Sequence, residues 1–228
     1  MGFDYIRQNL DELLSEIKTA EKKYGREITL VAVTKSGTDD ELIALAECGI
    51  GDIGENRPQE LRRRKDLLKQ KGFAPRLHEI GNLQRNKVKL IIEDVTLIHS
   101  LDNLPLAAEI DKQAQKVGRV IPVLVEINSA GEEQKGGIHP CDAEDFILSL
   151  KEFRNIRVDG LMTMGPVATD PEELRPYFRR TKELYDELNS KSLFEGGILS
   201  MGMSDSYMVA IEEGSTLVRV GRKLFIEN

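Results

Sequence analysis

Cysteine is scarce in this sequence, and its placement argues against two common ways of stabilising a fold. The two cysteines, Cys48 and Cys141, lie far apart and form no CxxC pair or Cys/His cluster. This spacing argues against a structural zinc site and against a framework of disulfides. His78, His99 and His139 also lack metal-ligand spacing. We therefore expect structural histidines, no bound metal and the reduced thiols of a cytoplasmic protein.

Long apolar runs and an excess of basic residues are also missing. No apolar run approaches the roughly 20 residues that span a bilayer. The first residues of the chain mix apolar side chains with Asp, Glu and Lys, unlike a signal peptide. Lys and Arg total 32 against 39 Asp and Glu, and the net charge of -7 disfavours a surface that tracks phosphates. We expect no binding to nucleic acid or to membranes.

The sequence does contain a repeated alternation of strand-like and helix-like segments. An amphipathic helix is predicted at the N-terminus, and the apolar run from Ile28 to Val33 is typical of a strand buried on both faces. Counting this one, the 228 residues contain eight predicted strands, separated mostly by helices. This pattern favours an α/β fold of the (β/α)8 TIM barrel type over an open doubly wound sheet, which remains the alternative. Without a linker, residues 1–228 are expected to form one domain.

Residues that follow the predicted strands are the first candidates for a site, because barrels carry their chemistry at the C-terminal ends of the strands. Lys35 ends the segment VAVTK, directly after the first buried strand. Partial desolvation there would favour the neutral amine that attacks an aldehyde. Taken alone, however, a lysine at a strand end more often reaches out to solvent.

Two glycine-bearing segments follow the last two predicted strands. They are Ser200-Met201-Gly202 and Arg219-Val220-Gly221-Arg222. Backbone N–H groups at such turns can approach an anion closely, and barrels often bind phosphate after strands seven and eight. Either segment alone would indicate only a turn. Together with Lys35 they indicate a ligand that carries an aldehyde and a phosphate, whereas a phosphate-sugar enzyme would use the turns without an imine.

Several segments in this order resemble the pyridoxal phosphate homeostasis protein family, whose barrel is similar to the N-terminal domain of alanine racemase. They are VAVTK (31–35), GENRPQE (54–60), HEIGNLQRNK (78–87), EEQKGG (132–137), GLMTM (160–164), SMGMS (200–204) and AIEEGSTLVRVG (210–221). The resemblance covers nearly the whole chain, and the combination of segments is highly specific.

The resemblance implies that pyridoxal 5′-phosphate is bound as a Schiff base on Lys35. It implies that Arg219 faces the pyridine nitrogen and that Asn56 lines the pocket. The residues implied around the phosphate are Ser200, Met201, Gly202, Gly221 and Arg222. It also implies a role in binding, buffering or delivering the cofactor, with apo-enzymes that depend on it as the recipients.

Three positions depart from the pattern of the family. Glu79 stands where an aromatic residue is usual, Ser206 stands where Asp is common, and Arg222 replaces a small Thr. The phosphate could therefore meet the backbone N–H of Arg222, its side chain, or neither. Lys135 is a marginal candidate for closing the pocket.

The expected chemistry favours a carrier over an enzyme. A guanidinium such as that of Arg219 keeps its proton near neutral pH, so a ring nitrogen beside it stays unprotonated and the ring is a weak electron sink. Racemisation also needs a second base, which alanine racemases take from a further domain, and we expect a packing role for Tyr207. We therefore expect no catalytic turnover, with a racemase-like enzyme as the alternative. The sequence shows no apolar seam for dimerisation, so we expect a monomer.

Overall fold

The computed structural model describes residues 2–131 and 136–227, which contain a closed barrel of eight parallel strands. Each strand pairs with its neighbour in sequence, and the last pairs with the first, with Val31 opposite Arg219. The strands are β1 (Thr29–Val33), β2 (Asp52–Glu55), β3 (Arg76–Glu79), β4 (Leu97–Leu101), β5 (Ile121–Glu126), β6 (Ile156–Met162), β7 (Ile198–Ser200) and β8 (Leu217–Val220). The predicted barrel is confirmed, and the open sheet is not what forms.

Helices surround the barrel and include the predicted N-terminal one. They are α1 (Asp4–Tyr24), α2 (Asp39–Glu47), α3 (Pro58–Gln70), α4 (Leu104–Lys116), α5 (Ala143–Leu150), α6 (Arg175–Ser190) and α7 (Tyr207–Glu212). Between β3 and β4 the sequence pattern predicts a helix from Asn86 to Ile92, and the chain forms a 3-10 helix at Arg85–Leu90. A further 3-10 turn, Thr34–Ser36, follows β1 directly.

Alternation along the strands separates an outer apolar core from the barrel interior. Inside the barrel lies a small apolar layer made of Val31, Leu97, Leu124, Met162 and Leu217. Because successive strand residues point to opposite faces, the residue two positions further along a strand also points inward. Three buried polar residues occupy such positions, His99, Glu126 and Arg219, and the buried Ser200 stands two positions after Ile198, which packs against the same layer. The interior is therefore polar on the side towards the C-terminal ends of the strands.

Helix α1 covers the outer face of β1 and β8, the two strands that lead to the candidate site. Its apolar stripe of Ile6, Leu10, Leu13 and Ile17 packs with Leu30, Ala32, Val218 and Val220. The buried Asn9 donates hydrogen bonds to the carbonyls of Leu224 (3.3 Å) and Ile226 (2.8 Å). These contacts fix the segment after β8 against α1 and so hold the end of that strand in place.

Within residues 2–131 and 136–227, no helix has the length and apolar character needed to cross a membrane.

Candidate functional site

Lys35 lies at the C-terminal end of β1, in the 3-10 turn that follows the strand. The strand ends at Val33, and the backbone N–H of Gly37 donates to the carbonyl of Thr34 at 2.9 Å to close the turn. The side chain of Lys35 is exposed, whereas the sequence suggested partial desolvation. The difference arises because the turn carries Lys35 past the end of the strand, where neighbouring strands no longer cover it.

The two predicted glycine turns lie beside the end of β1 and contact each other. A Cβ atom at Gly221 would stand 2.8 Å from the carbonyl oxygen of Val33, so only glycine permits this approach. Gly202 has φ +88, and a Cβ there would stand 2.6 Å from the Cβ of Ala210. The backbone N–H of Gly221 donates to Ser204 Oγ at 3.1 Å. The structure thus links the two turns to each other and places the Gly221 turn against the end of β1, two residues before the exposed Lys35.

Arg219 and Ser200 meet inside the barrel rather than at the turns. The guanidinium donates from Nη1 to the carbonyl (2.9 Å) and hydroxyl (2.5 Å) of Ser200, and from Nη2 to the carbonyl of Thr163 at 3.0 Å. Burial lowers the pKa of Arg219 to about 10, so the side chain remains a cation at neutral pH. The Ser200 hydroxyl, implied as a phosphate contact, is instead engaged with Arg219.

The side chains of three other implied residues lie in different surroundings. The side chain of Met201 packs in the apolar core outside the barrel, and its N–H donates to the carbonyl of Leu217. Asn56 is exposed directly after β2. The exposed Arg222 side chain pairs with Asp205, which leaves its backbone as the part closest to the Gly221 turn.

Glu126 is a site residue that sequence reasoning missed. It ends β5, is 8% exposed and points into the barrel. Burial, with the nearby charge of Asp102, raises its pKa to about 7, although the charge of Arg219 opposes the shift. The sequence did contain one indication, because Glu126 lies two residues after the apolar Leu124 on a predicted strand and therefore points to the same face.

Two histidines that were expected to be structural form a buried chain inside the barrel. His99 Nδ1 lies 3.1 Å from Ser200 Oγ, and His99 Nε2 lies 3.0 Å from His78 Nδ1. His78 Nε2 lies 2.9 Å from Asp52 Oδ1. The chain therefore continues from Arg219 through Ser200 towards the N-terminal end of β2.

A second buried polar group lies on the outer side of the barrel wall, next to the Lys35 turn. Glu79 is fully buried at the end of β3, and its Oε2 has no hydrogen-bond partner among the described residues. Burial raises the pKa of Glu79 to about 8, the N–H of Gly81 opposes this, and Glu55 adds to it. Glu55 accepts a 2.5 Å hydrogen bond from Thr34 and lies 3.1 Å from Arg64 Nε.

The expectation that no Cys/His cluster exists is wrong at one surface turn. His139, Cys141 and Asp142 place possible ligand atoms within 4.8 Å of one another. The 3-10 turn Pro140–Asp142 folds these residues together, and all three are exposed. Lys135, the marginal candidate for pocket closure, lies outside the described residues.

Tyr207 points away from the barrel interior. The residue is buried, and its hydroxyl donates to Glu16 on α1 and accepts from Lys223 Nζ at 2.8 Å. This geometry supports the predicted packing role.

Comparison with protein families gives a match along almost the whole chain. The family model for the alanine racemase N-terminal domain matches residues 8–228. A pyridoxal phosphate homeostasis protein of Aquifex aeolicus is 41% identical over 223 residues, covering 96% of this chain and 97% of the relative. One from Helicobacter pylori is 34% identical over 228 residues, covering 98% and 99%.

Solved structures give the same picture. PipY of Synechococcus elongatus, described with PLP bound, matches with a TM-score of 0.84 and 27% identity, covering 97% of this chain and 100% of that one. Alanine racemase of Clostridium difficile matches with a TM-score of 0.78 and 19% identity, covering 99% of this chain and 60% of the racemase. The second similarity shows the fold alone.

The buried Glu79 generates a prediction about stability and pH. In the unfolded chain this carboxyl has a pKa near 4.5, against about 8 in the fold. Its ionisation in the folded state therefore costs nothing below pH 4.5 and destabilises the fold increasingly up to about pH 8.

We expect Glu79→Gln to raise the free energy of unfolding relative to the wild type at pH 8 and above, by an amount on the order of a few kcal/mol, and to have little effect near pH 4. Urea denaturation across this pH range measures the difference. Glu93→Gln, at an exposed position, is the matched control. A difference between Glu79→Gln and the wild type that is independent of pH would contradict the assignment.

Proposed function

The chain belongs to the alanine racemase N-terminal domain family and to the pyridoxal phosphate homeostasis proteins, and we propose that it binds pyridoxal 5′-phosphate as a Schiff base on Lys35. In this proposal it buffers the cofactor or delivers it to other proteins. The observation that carries the proposal is the close approach of the Gly221 turn to Val33, two residues before Lys35. An amine that can react with an aldehyde and a turn that can hold a phosphate are therefore neighbours.

The residues present fit such a ligand. The turns at Gly202 and Gly221, with the backbone of the exposed Arg222 and the hydroxyl of Ser204, would hold the phosphate. Arg219 would stand beside the ring nitrogen. When bound, the cofactor supplies an aldehyde carbon that forms an imine with an amine, with loss of water.

The electrostatics of the site support a carrier rather than a catalyst. Arg219 is a cation at neutral pH, and a ring nitrogen beside it would not be protonated. Such a ring withdraws electrons weakly, which disfavours chemistry that needs a carbanion. The exposure of Lys35 supports exchange of the ligand with solvent more than a reaction in a site closed to water.

The wider biological setting is also part of the proposal. We propose one domain over residues 1–228, a monomer, a cytoplasmic location and apo-enzymes that need pyridoxal phosphate as recipients. The exposed Lys35 supports transfer to a partner. The net charge of -7 supports the absence of a nucleic-acid or membrane partner.

The Schiff base is tested by borohydride trapping and peptide mapping. The wild type incubated with pyridoxal phosphate should carry the reduced adduct on the peptide that contains Lys35. Lys35→Ala should lose this adduct and the Schiff-base absorption, because Lys223, the described lysine that follows the Gly221 turn, is engaged with Glu16 and Tyr207. Lys69→Ala, at an exposed position on α3, should retain both.

Two results would contradict the proposal. One is an adduct that maps to another lysine and persists in Lys35→Ala. The other is a wild type that binds phosphate-bearing sugars but is not trapped by borohydride, which would favour a phosphate-sugar enzyme.

The phosphate turn is tested by removing one hydroxyl. Ser204 Oγ accepts from Gly221, so its own hydrogen can donate to a phosphate oxygen. A hydrogen bond to a charged group contributes about 1.5–3 kcal/mol, so Ser204→Ala should weaken binding of pyridoxal phosphate roughly 10- to 100-fold. Binding of pyridoxal, which has no phosphate, should not change. Equal losses for the two ligands in absorbance titrations would place the phosphate elsewhere.

A racemase-like enzyme is the second candidate, and Glu126 is the observation that favours it. This carboxyl points into the barrel, and its pKa of about 7 suits a group that accepts and releases protons. An enzyme of this kind should exchange the α-proton of an amino acid with deuterium from solvent, and Glu126→Gln should abolish the exchange. Absence of exchange with any common amino acid would eliminate this candidate.

A further inference from the structure

A continuous chain of hydrogen bonds joins Arg219 to the opposite end of the barrel. It starts at the guanidinium and passes through Ser200 Oγ to the ring of His99. From there it continues through the ring of His78 and ends at Asp52, the first residue of β2. Every residue along it is buried, and none is exposed by more than 5%. At its far end, Asp52 also accepts from the exposed Arg76 at 2.6 Å.

The charges at the two ends determine the direction of the hydrogen bonds. Arg219 can only donate, so Ser200 Oγ accepts from it and has one hydrogen left to donate. Burial opposes the ionised form of Asp52, but hydrogen bonds from His78 and Arg76 outweigh it and hold the pKa of Asp52 below its ordinary value. The carboxylate therefore accepts from His78 Nε2.

The ring of His99 connects the two halves of the chain. Burial, followed by the charge of Arg219, holds the pKa of His99 well below its ordinary value, so this ring is neutral and carries one N–H. If the N–H is on Nε2, it donates to His78 Nδ1, and Nδ1 of His99 accepts from Ser200. If the N–H is on Nδ1 instead, Ser200 Oγ accepts from both Arg219 and His99. The hydroxyl hydrogen of Ser200 then has no acceptor on His99. Only the first arrangement satisfies every member.

We propose that His99 is a positioning residue which, through Ser200, locks the guanidinium of Arg219 in the orientation that meets the ring nitrogen of the cofactor. Asp52 and His78 fix the tautomer of His99 from the far side of the barrel. The chain thus makes the barrel interior part of the binding site, although only its last member would touch the ligand. The part that concerns the cofactor rests on the proposed function.

The tautomers can be measured in the protein without cofactor. Long-range ¹H–¹⁵N correlation spectra of the histidine rings distinguish protonated from unprotonated nitrogens. In the wild type we expect His99 to be protonated on Nε2 and unprotonated on Nδ1. In Asp52→Asn, the amide can either accept from or donate to His78, so we expect the two tautomers of His99 to mix. A wild-type His99 that is protonated on Nδ1 would overturn the inference.

The effect on the site is measured with His99→Gln, because glutamine cannot bridge both neighbours. Arg219 then loses its fixed orientation, and ordering one long side chain on binding costs about 0.5–1.5 kcal/mol, or roughly a two- to tenfold loss of affinity for pyridoxal phosphate. The Schiff-base absorption band should also shift in position or in its pH dependence. His139→Gln, at an exposed turn, should leave affinity and band unchanged.

A purely structural role gives a different pattern. His99→Gln would then lower the melting temperature of the cofactor-free protein but leave affinity and band at the wild-type values, which would overturn the inference. Should His99→Gln fail to fold, Asp52→Asn gives the same test, because it keeps the size of the side chain and removes only its charge. A wild type that takes up no pyridoxal phosphate, yet shows the expected tautomers, would reject the proposed function and the role of His99 towards the ligand with it.

Discussion

The site depends on a guanidinium enclosed in a closed barrel. A charge without partners in an apolar interior is strongly destabilising, so Arg219 requires acceptors on the neighbouring strands. It finds them in Ser200 and in the carbonyl of Thr163. These contacts connect β8 to the ends of β7 and β6. The hydrogen bonds of Arg219 therefore help to fix where these strands end. They also help to fix the turns that follow the strands.

Because side chains alternate along each strand, the inward-facing residues near the C-terminal ends of the strands form the candidate binding face. The apolar layer around Val31 lies inside the barrel, and the next inward positions towards the C-terminal ends of the strands carry polar residues. Beyond them the strands end in glycine turns, where a Cβ atom would collide with neighbouring atoms. Lys35 lies on the remaining side of the same opening. The cation Arg219, the two glycine turns and the amine of Lys35 thus belong to the ends of β7, β8 and β1, and β8 pairs with both of the other strands.

The sequence predicts the parts of this arrangement that are encoded locally. Runs of β-branched residues predict β1 and β5, and strict alternation with helices predicts the barrel. Lys35, Gly202 and Gly221 follow from their positions after strands. Sequence reasoning did not find the contact of His99 with Ser200, which are 101 positions apart in the chain, because it depends on how the barrel closes. The outward direction of Met201 and the exposure of Lys35 likewise depend on the exact residue at which each strand ends. A single sequence locates such boundaries less precisely than that.

The most direct test of this account is a crystal structure of the protein loaded with pyridoxal phosphate. The account predicts continuous density from Lys35 Nζ to the cofactor, the phosphate between the turns at Gly202 and Gly221, and the ring nitrogen facing Arg219. A cofactor joined to another lysine, or one whose ring nitrogen faces the carboxylate of Glu126 instead of Arg219, would contradict it.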